Sequence, residues 1–115
     1  MSRYHSYLNS AVEIIKRYSG DQPLAAFLKL FFAANKKYGS KDRKQVSHLC
    51  YCYFRTGKMF RTNALPDDGL IQAHILAGLF LCSSQSDEIL QQLKPSWNEN
   101  VHLSLEEKFE IVNKS

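Results

Sequence analysis

Two groups of basic side chains are the residues whose types and spacing point most directly to chemistry. Lys36, Lys37, Lys41, Arg43 and Lys44 fall across a glycine turn and the start of a helix, and Arg55, Lys58 and Arg61 follow the far end of that helix. Lysine offers a compact point charge, and arginine a planar fork that matches phosphate oxygens. A helix of about 15 residues is about 22 Å long, so the two groups would reach phosphates a few nucleotides apart. Tyr51 or Tyr38, if exposed, supplies a ring on which an unpaired base stacks. Each residue also has a plainer reading. Arg43 stands beside Asp42 in a first helical turn and could brace neighbouring helices through an ion pair. Arg55 could serve the carbonyls at the end of its own helix, and charge runs are commonly solvated faces.

Other reactive residues carry less. Cys50 and Cys52 stand two apart, which on a helix turns their side chains about 200° from each other, a poor start for one tetrahedral ion. His48 and Cys52, four apart, would face each other but supply only two ligands. Packing is the expected role of these thiols, since free cysteine behaves as a small buried hydrophobe. The acid pairs Asp67-Asp68 and Glu106-Glu107 have no visible partner for acid–base work, and His74, amid apolar neighbours, reads as a core or interface histidine. No glycine-rich phosphate loop or dinucleotide fingerprint is present. The chain itself is therefore expected to be non-catalytic, with no catalytic residue, no metal ligand set and no cofactor of its own.

The 115 residues suit one domain, or one domain of a longer protein, and a chain of this size folds without a metal or disulfide. The net charge of +4 conceals a division. Residues 1–61 hold twelve Lys or Arg against three acids, a balance of +9, whereas residues 62–115 hold three lysines against eight acids, a balance of −5. Such a division suggests a polyanion partner for the first part, although the two parts could simply complement each other. Three cysteines without framework spacing, no apolar run long enough for a membrane helix and no signal-like N-terminus together predict a cytoplasmic protein without a membrane partner.

The elements that must position the basic groups are all helical. The first is expected over Ser6–Tyr18, with Leu8, Ala11, Val12, Ile14, Ile15 and Tyr18 inward and Gly20 as its stop. Asp21-Gln22-Pro23 opens a second helix with an apolar stripe of Leu24, Phe27, Leu28, Phe31 and Phe32, ended by Gly39. Ser40 is expected to cap the third, with Asp42 in its first turn and Val46, Leu49, Cys50, Tyr53 and Phe54 buried. Residues 57–69 carry turn chemistry and predict a surface loop. Leu70–Cys82, apolar nearly all round, reads as the central helix. A short helix from Ser86 or Asp87 to Leu93, ended by Pro95, precedes Trp97, which is expected to plug a gap beside the core. Ser104-Leu105-Glu106-Glu107 is a capping box that starts a last helix. A new cap so near the end of the chain suggests a piece of a longer protein. The fold class is all-α, a compact bundle of about six helices.

The run Ser40-Lys41-Asp42-Arg43, followed by Leu49, Tyr51, Phe54 and Arg55, resembles a helix of the NusB-like domain that precedes the catalytic part of Sun/Fmu-type (RsmB-like) ribosomal RNA cytosine-5 methyltransferases. The Pro23–Leu28 segment and the apolar Ile75–Leu81 segment fit the same order, so the resemblance covers residues 7–110 in helix order. It implies a NusB-like bundle that binds or positions ribosomal RNA for a downstream methyltransferase domain using S-adenosylmethionine. That enzyme class uses cysteines in Pro-Cys and Thr-Cys-type motifs, and Cys50, Cys52 and Cys82 match neither, so no catalytic role transfers. The Cys-Tyr-Cys-Tyr-Phe run and the loop after Arg61 depart from many members. The alternative within the same fold is a protein–protein module of the antitermination type.

Overall fold

A computed structural model describes residues 3–57 and 67–114. Among these the chain forms seven helices and no strand: α1 (Arg3–Arg17), α2 (Leu24–Ala34), α3 (Ser40–Thr56), α4 (Asp68–Cys82), α5 (Glu88–Leu93), α6 (Pro95–Asn98) and α7 (Leu105–Asn113). The all-α expectation holds. The seventh helix is the single turn α6, because Pro95 both ends α5 and occupies the first position of a new turn, where its missing N–H costs nothing.

The bundle is organised around α4. Ile71, Ile75, Leu76, Ala77, Leu79, Phe80 and Leu81 are all buried, as the all-round apolar pattern predicts. Helix α3 packs on one side of α4, α1 crosses both, and α7 closes the C-terminal side. The α3–α4 approach is set by Gly78. A methyl group there would lie 2.6 Å from Thr56 Oγ1 and 2.9 Å from the Cys52 carbonyl oxygen, inside van der Waals contact. Helix α1 ends at Arg17, and Gly20, three residues on, lies in the left-handed region at φ 83°, where side chains are strained, and turns the chain toward α2.

Several helix boundaries differ from the sequence pattern for local reasons. Helix α1 begins at Arg3 rather than Ser6, and Tyr7 joins its buried face. Helix α2 is capped by Pro23, not Asp21, whose carboxylate instead accepts from Ser19 Oγ at 2.8 Å. It ends at Ala34, five residues before Gly39, because the Asn35 side chain donates to the Phe31 carbonyl at 2.8 Å and closes the last turn. Helix α4 starts at Asp68, with Asp67 Oδ1 accepting from the Leu70 N–H. Asp87 and Ser104 cap α5 and α7 as expected.

Lys108 is a side chain whose burial the pattern did not reveal. It is 4% exposed, and its ammonium donates to the carbonyls of Phe80, Leu81, Ser83 and Val101 at 3.2, 3.4, 2.7 and 3.2 Å. Four oxygens share three protons around a cation at the C-terminus of α4, where the helix dipole favours positive charge. This pins α7 to α4. Asn98 plays a smaller version of the same part. Its amide accepts from the Asp87 N–H at 2.8 Å and donates to Gln91 Oε1 at 2.6 Å, tying α6 to the start of α5.

Candidate nucleic-acid interface

Helix α3 carries the candidate interface, and its start is fixed by Asp42. Gly39, in extended backbone, holds the N-cap position, and Ser40 is the first helical residue rather than the cap. Asp42 accepts from the Gly39 N–H at 3.2 Å and from the Tyr7 hydroxyl of α1. These two bonds, Tyr7 first, hold the Asp42 carboxyl below its usual pKa. The Tyr7 phenol is raised to about 12, by burial first and then by Asp42. Asp42 is thus spent on orienting α3 against α1. Among the described residues it makes no ion pair with Arg43, whose Nε donates to the Tyr38 carbonyl at 3.0 Å instead. The helix-to-helix ion pair suggested for Arg43 is therefore absent among the described residues, and its bond goes to the turn just before its own helix.

The helical repeat sorts the candidate residues into sets. At about 100° per residue, Lys41, Lys44, His48, Tyr51 and Arg55 share one outward arc of α3. All five are exposed, and the arc runs about 21 Å from Lys41 to Arg55 at 1.5 Å per residue. A shallow concavity of about 590 Å³ lies along it, lined by Lys41, Lys44, Gln45, Ser47, His48 and Tyr51. Arg43 falls on another flank of the helix, and both it and Lys37, whose ammonium sits 5.3 Å from the Tyr38 ring centroid, meet Tyr38. Lys36 is exposed in the same turn. Lys58 and Arg61 lie outside the described residues.

The two tyrosines separate cleanly. Tyr51 is 39% exposed, a ring standing among cations. Tyr38 is buried and cannot receive a base: its ring packs against Phe31 and Phe32, and its hydroxyl meets Ser10 Oγ at 2.8 Å. Phe54 also departs from expectation. It is 39% exposed and edges onto Tyr18, which edges in turn onto Phe27. Cys52 and Thr56 take the inward positions, because α3 faces α1 and α4 at once and the buried arc shifts toward them.

Acidic side chains compete for only part of the set. Lys16 and Arg17 of α1 are occupied by Asp68 at 2.8 Å and Glu13 at 2.9 Å. Lys41 lies 3.9 Å from Glu88, a long exposed pair of little strength. Lys36, Lys37, Arg43, Lys44 and Arg55 pair with no carboxylate among the described residues.

The thiols sit beneath this surface. Cys50 and Cys52 are fully buried, and burial pushes both up to about 12, which leaves them as poor nucleophiles at neutral pH. His48 Nε2 lies 3.6 Å from Cys52 Sγ, so the four-residue spacing does bring them together. No group of three or more His, Cys, Asp or Glu among the described residues could hold a metal ion. No described helix is long and apolar enough to cross a membrane.

What the arrangement can do is electrostatic: hold a phosphate backbone along Lys41, Lys44 and Arg55 and offer Tyr51 to one base. Comparison with protein-family models, with curated proteins and with solved structures finds no match.

Proposed function

We propose that this chain is a non-catalytic RNA-binding module that positions ribosomal RNA for a cytosine-5 methyltransferase domain lying downstream in a longer cytoplasmic protein. S-adenosylmethionine would bind in that separate domain. The observation that carries the reading is the exposed arc of Lys41, Lys44 and Arg55 around Tyr51, held in place by the Tyr7–Asp42 hydrogen bond. The resemblance of the Ser40–Arg55 run to the NusB-like helix adds the methyltransferase context. Cations at this spacing favour a polyanion, and an exposed ring among them favours an unpaired base over a duplex face.

The test is titration with a structured ribosomal RNA fragment. The triple variant K41E/K44E/R55E is expected to lose at least about tenfold in affinity, since each lost phosphate contact removes part of a counterion-release free energy. Lys114→Glu, exposed at the end of the chain beyond α7, serves as the control with unchanged affinity. Equal affinity of the triple variant and the parent would remove the arc from the binding surface.

One observation favours a protein-binding role of the antitermination type. Leu105, 49% exposed, forms with Glu106, Phe109 and Glu110 an apolar and acidic patch on α7. Weak RNA binding by the chain alone, restored by a partner protein, would favour that role.

A further inference from the structure

A cleft of about 350 Å³ opens between α4, α6 and α7, and shares no residue with the α3 arc. One wall is a single face of α4, where Leu70, Ala73, His74 and Ala77 recur at i, i+3, i+4 and i+7. Val112 of α7 stands in the opposite wall. Alanine at positions 73 and 77 is what leaves the space open, since larger side chains there would close α4 onto α7. At one end, the Trp97 ring stacks on Phe80, with centroids 5.1 Å apart and an interplanar angle of 21°, so the floor is rigid.

Lys94 supplies the polar feature. Its ammonium is 4.8 Å from the Trp97 ring centroid, the side chain is half-buried, and it pairs with no carboxylate among the described residues. A ring face attracts a cation but accepts none of its hydrogen bonds fully, and a cation–π contact is weaker than a charge-assisted hydrogen bond to an anion. An anion at this end of the cleft would gain what the ring does not give. The volume falls at the lower end of small-ligand sites, which combine apolar walls with a few orienting polar groups.

We infer that this cleft binds a small organic carboxylate, its apolar body between Ala73, Ala77 and Val112 and its anionic head on Lys94. The site is independent of the RNA-binding reading and stands or falls separately from it.

The experiment uses the full chain, isotope-labelled for amide NMR, titrated with 1-naphthylacetate and with its neutral analogue 1-naphthylacetamide. Saturable shifts are expected at Ala73, Ala77, Trp97 and Val112, with the acid binding at least about tenfold tighter than the amide, the worth of one charge-assisted bond. Lys94→Gln should erase that difference. Ala73→Phe, at an exposed position and so tolerated by the fold, should abolish binding of both. The inference is overturned if no saturable shift occurs, if acid and amide bind equally, if A73F binds as the parent does, or if the shifts fall on Lys44 and Tyr51 instead.

Discussion

Replacing Lys108 by methionine keeps the apolar stem and deletes the ammonium that links α7 to the end of α4. Of its four acceptors, the buried carbonyls of Leu81 and Val101 would lose this donor with little water to replace it, while the buried Phe80 carbonyl would keep only a long bond from the Ser83 N–H at 3.4 Å. The Ser83 carbonyl is only partly buried and can be rehydrated. An orphaned buried carbonyl costs about 1–3 kcal/mol, and the ammonium's own dehydration, which the variant recovers, offsets part of that. At about 1 kcal/mol for each of the two buried oxygens left without this donor, the net loss is about 2 kcal/mol. That corresponds to a fall of about 8 °C in the melting midpoint of a chain this size. Urea unfolding followed by far-ultraviolet circular dichroism measures it, with the denaturant slope unchanged. Burial also lowers the Lys108 pKa below its ordinary 10.5. The unfolded chain therefore holds more protons just below that pH, and the stability difference between parent and variant grows as pH rises through this window. A loss smaller than about 1 kcal/mol would refute the reasoning, since dehydration of the cation would then cancel its hydrogen bonds.

Other outcomes follow from the same contacts. Tyr7→Phe should raise the Asp42 carboxyl pKa toward its ordinary value, read by carboxyl-carbon NMR, because the Tyr7 hydroxyl is the chief cause of its depression. In the parent, the Asp42 contribution is present above pH 3.8 and is lost as pH falls through the lower folded value, so the variant should lose this part of its acid resistance. At the alkaline end, the raised Tyr7 phenol gives stability that is present below pH 10 and disappears as pH rises through about 12, and the variant should lack that loss. Gly78→Ala should destabilise by about 2 kcal/mol, since the methyl meets Thr56 Oγ1 and the Cys52 carbonyl and the strain outweighs alanine's better helix propensity; an unchanged or higher melting midpoint would show that α3 and α4 part without cost. Tyr51→Ala should cost about 1–3 kcal/mol in binding an RNA with an unpaired loop and little for a plain duplex, measured by fluorescence anisotropy.

What the sequence disclosed is what local chemistry dictates. The Asp87 and Ser104 caps, the all-round apolar α4 and the helical α3 each follow from residues within a few positions of one another. What it concealed depends on segments far apart in the chain. Tyr38 read as a potential base platform until α1 and α2 closed over it through Ser10, Phe31 and Phe32. Lys108 counted as an ordinary charge, yet α7 folds back to bury it on α4, which leaves the surface of the C-terminal part more acidic than its composition implies. Phe54 fitted the spacing of a buried face, but a helix packed on two neighbours shows them an arc centred elsewhere. The basic arc was half legible. The cations read as groups at the two ends of the helix and were not sorted by face; the helical repeat that gathers Lys41, Lys44, Tyr51 and Arg55 on one arc was present in the spacing, whereas the contacts of Lys37 and Arg43 with Tyr38 required the fold.

The central claim is that Lys41, Lys44 and Arg55 neutralise phosphates, and the salt dependence of RNA binding tests it most directly. Affinity for a ribosomal RNA fragment should be measured across a series of salt concentrations for the parent and for K41Q/K44Q/R55Q. Each phosphate contact contributes about −0.7 to −0.9 to the slope of log affinity against log salt, so the variant's slope should be shallower by about 2 to 3. Two parallel lines would contradict the account, because they would mean that the exposed arc of α3 touches no phosphate.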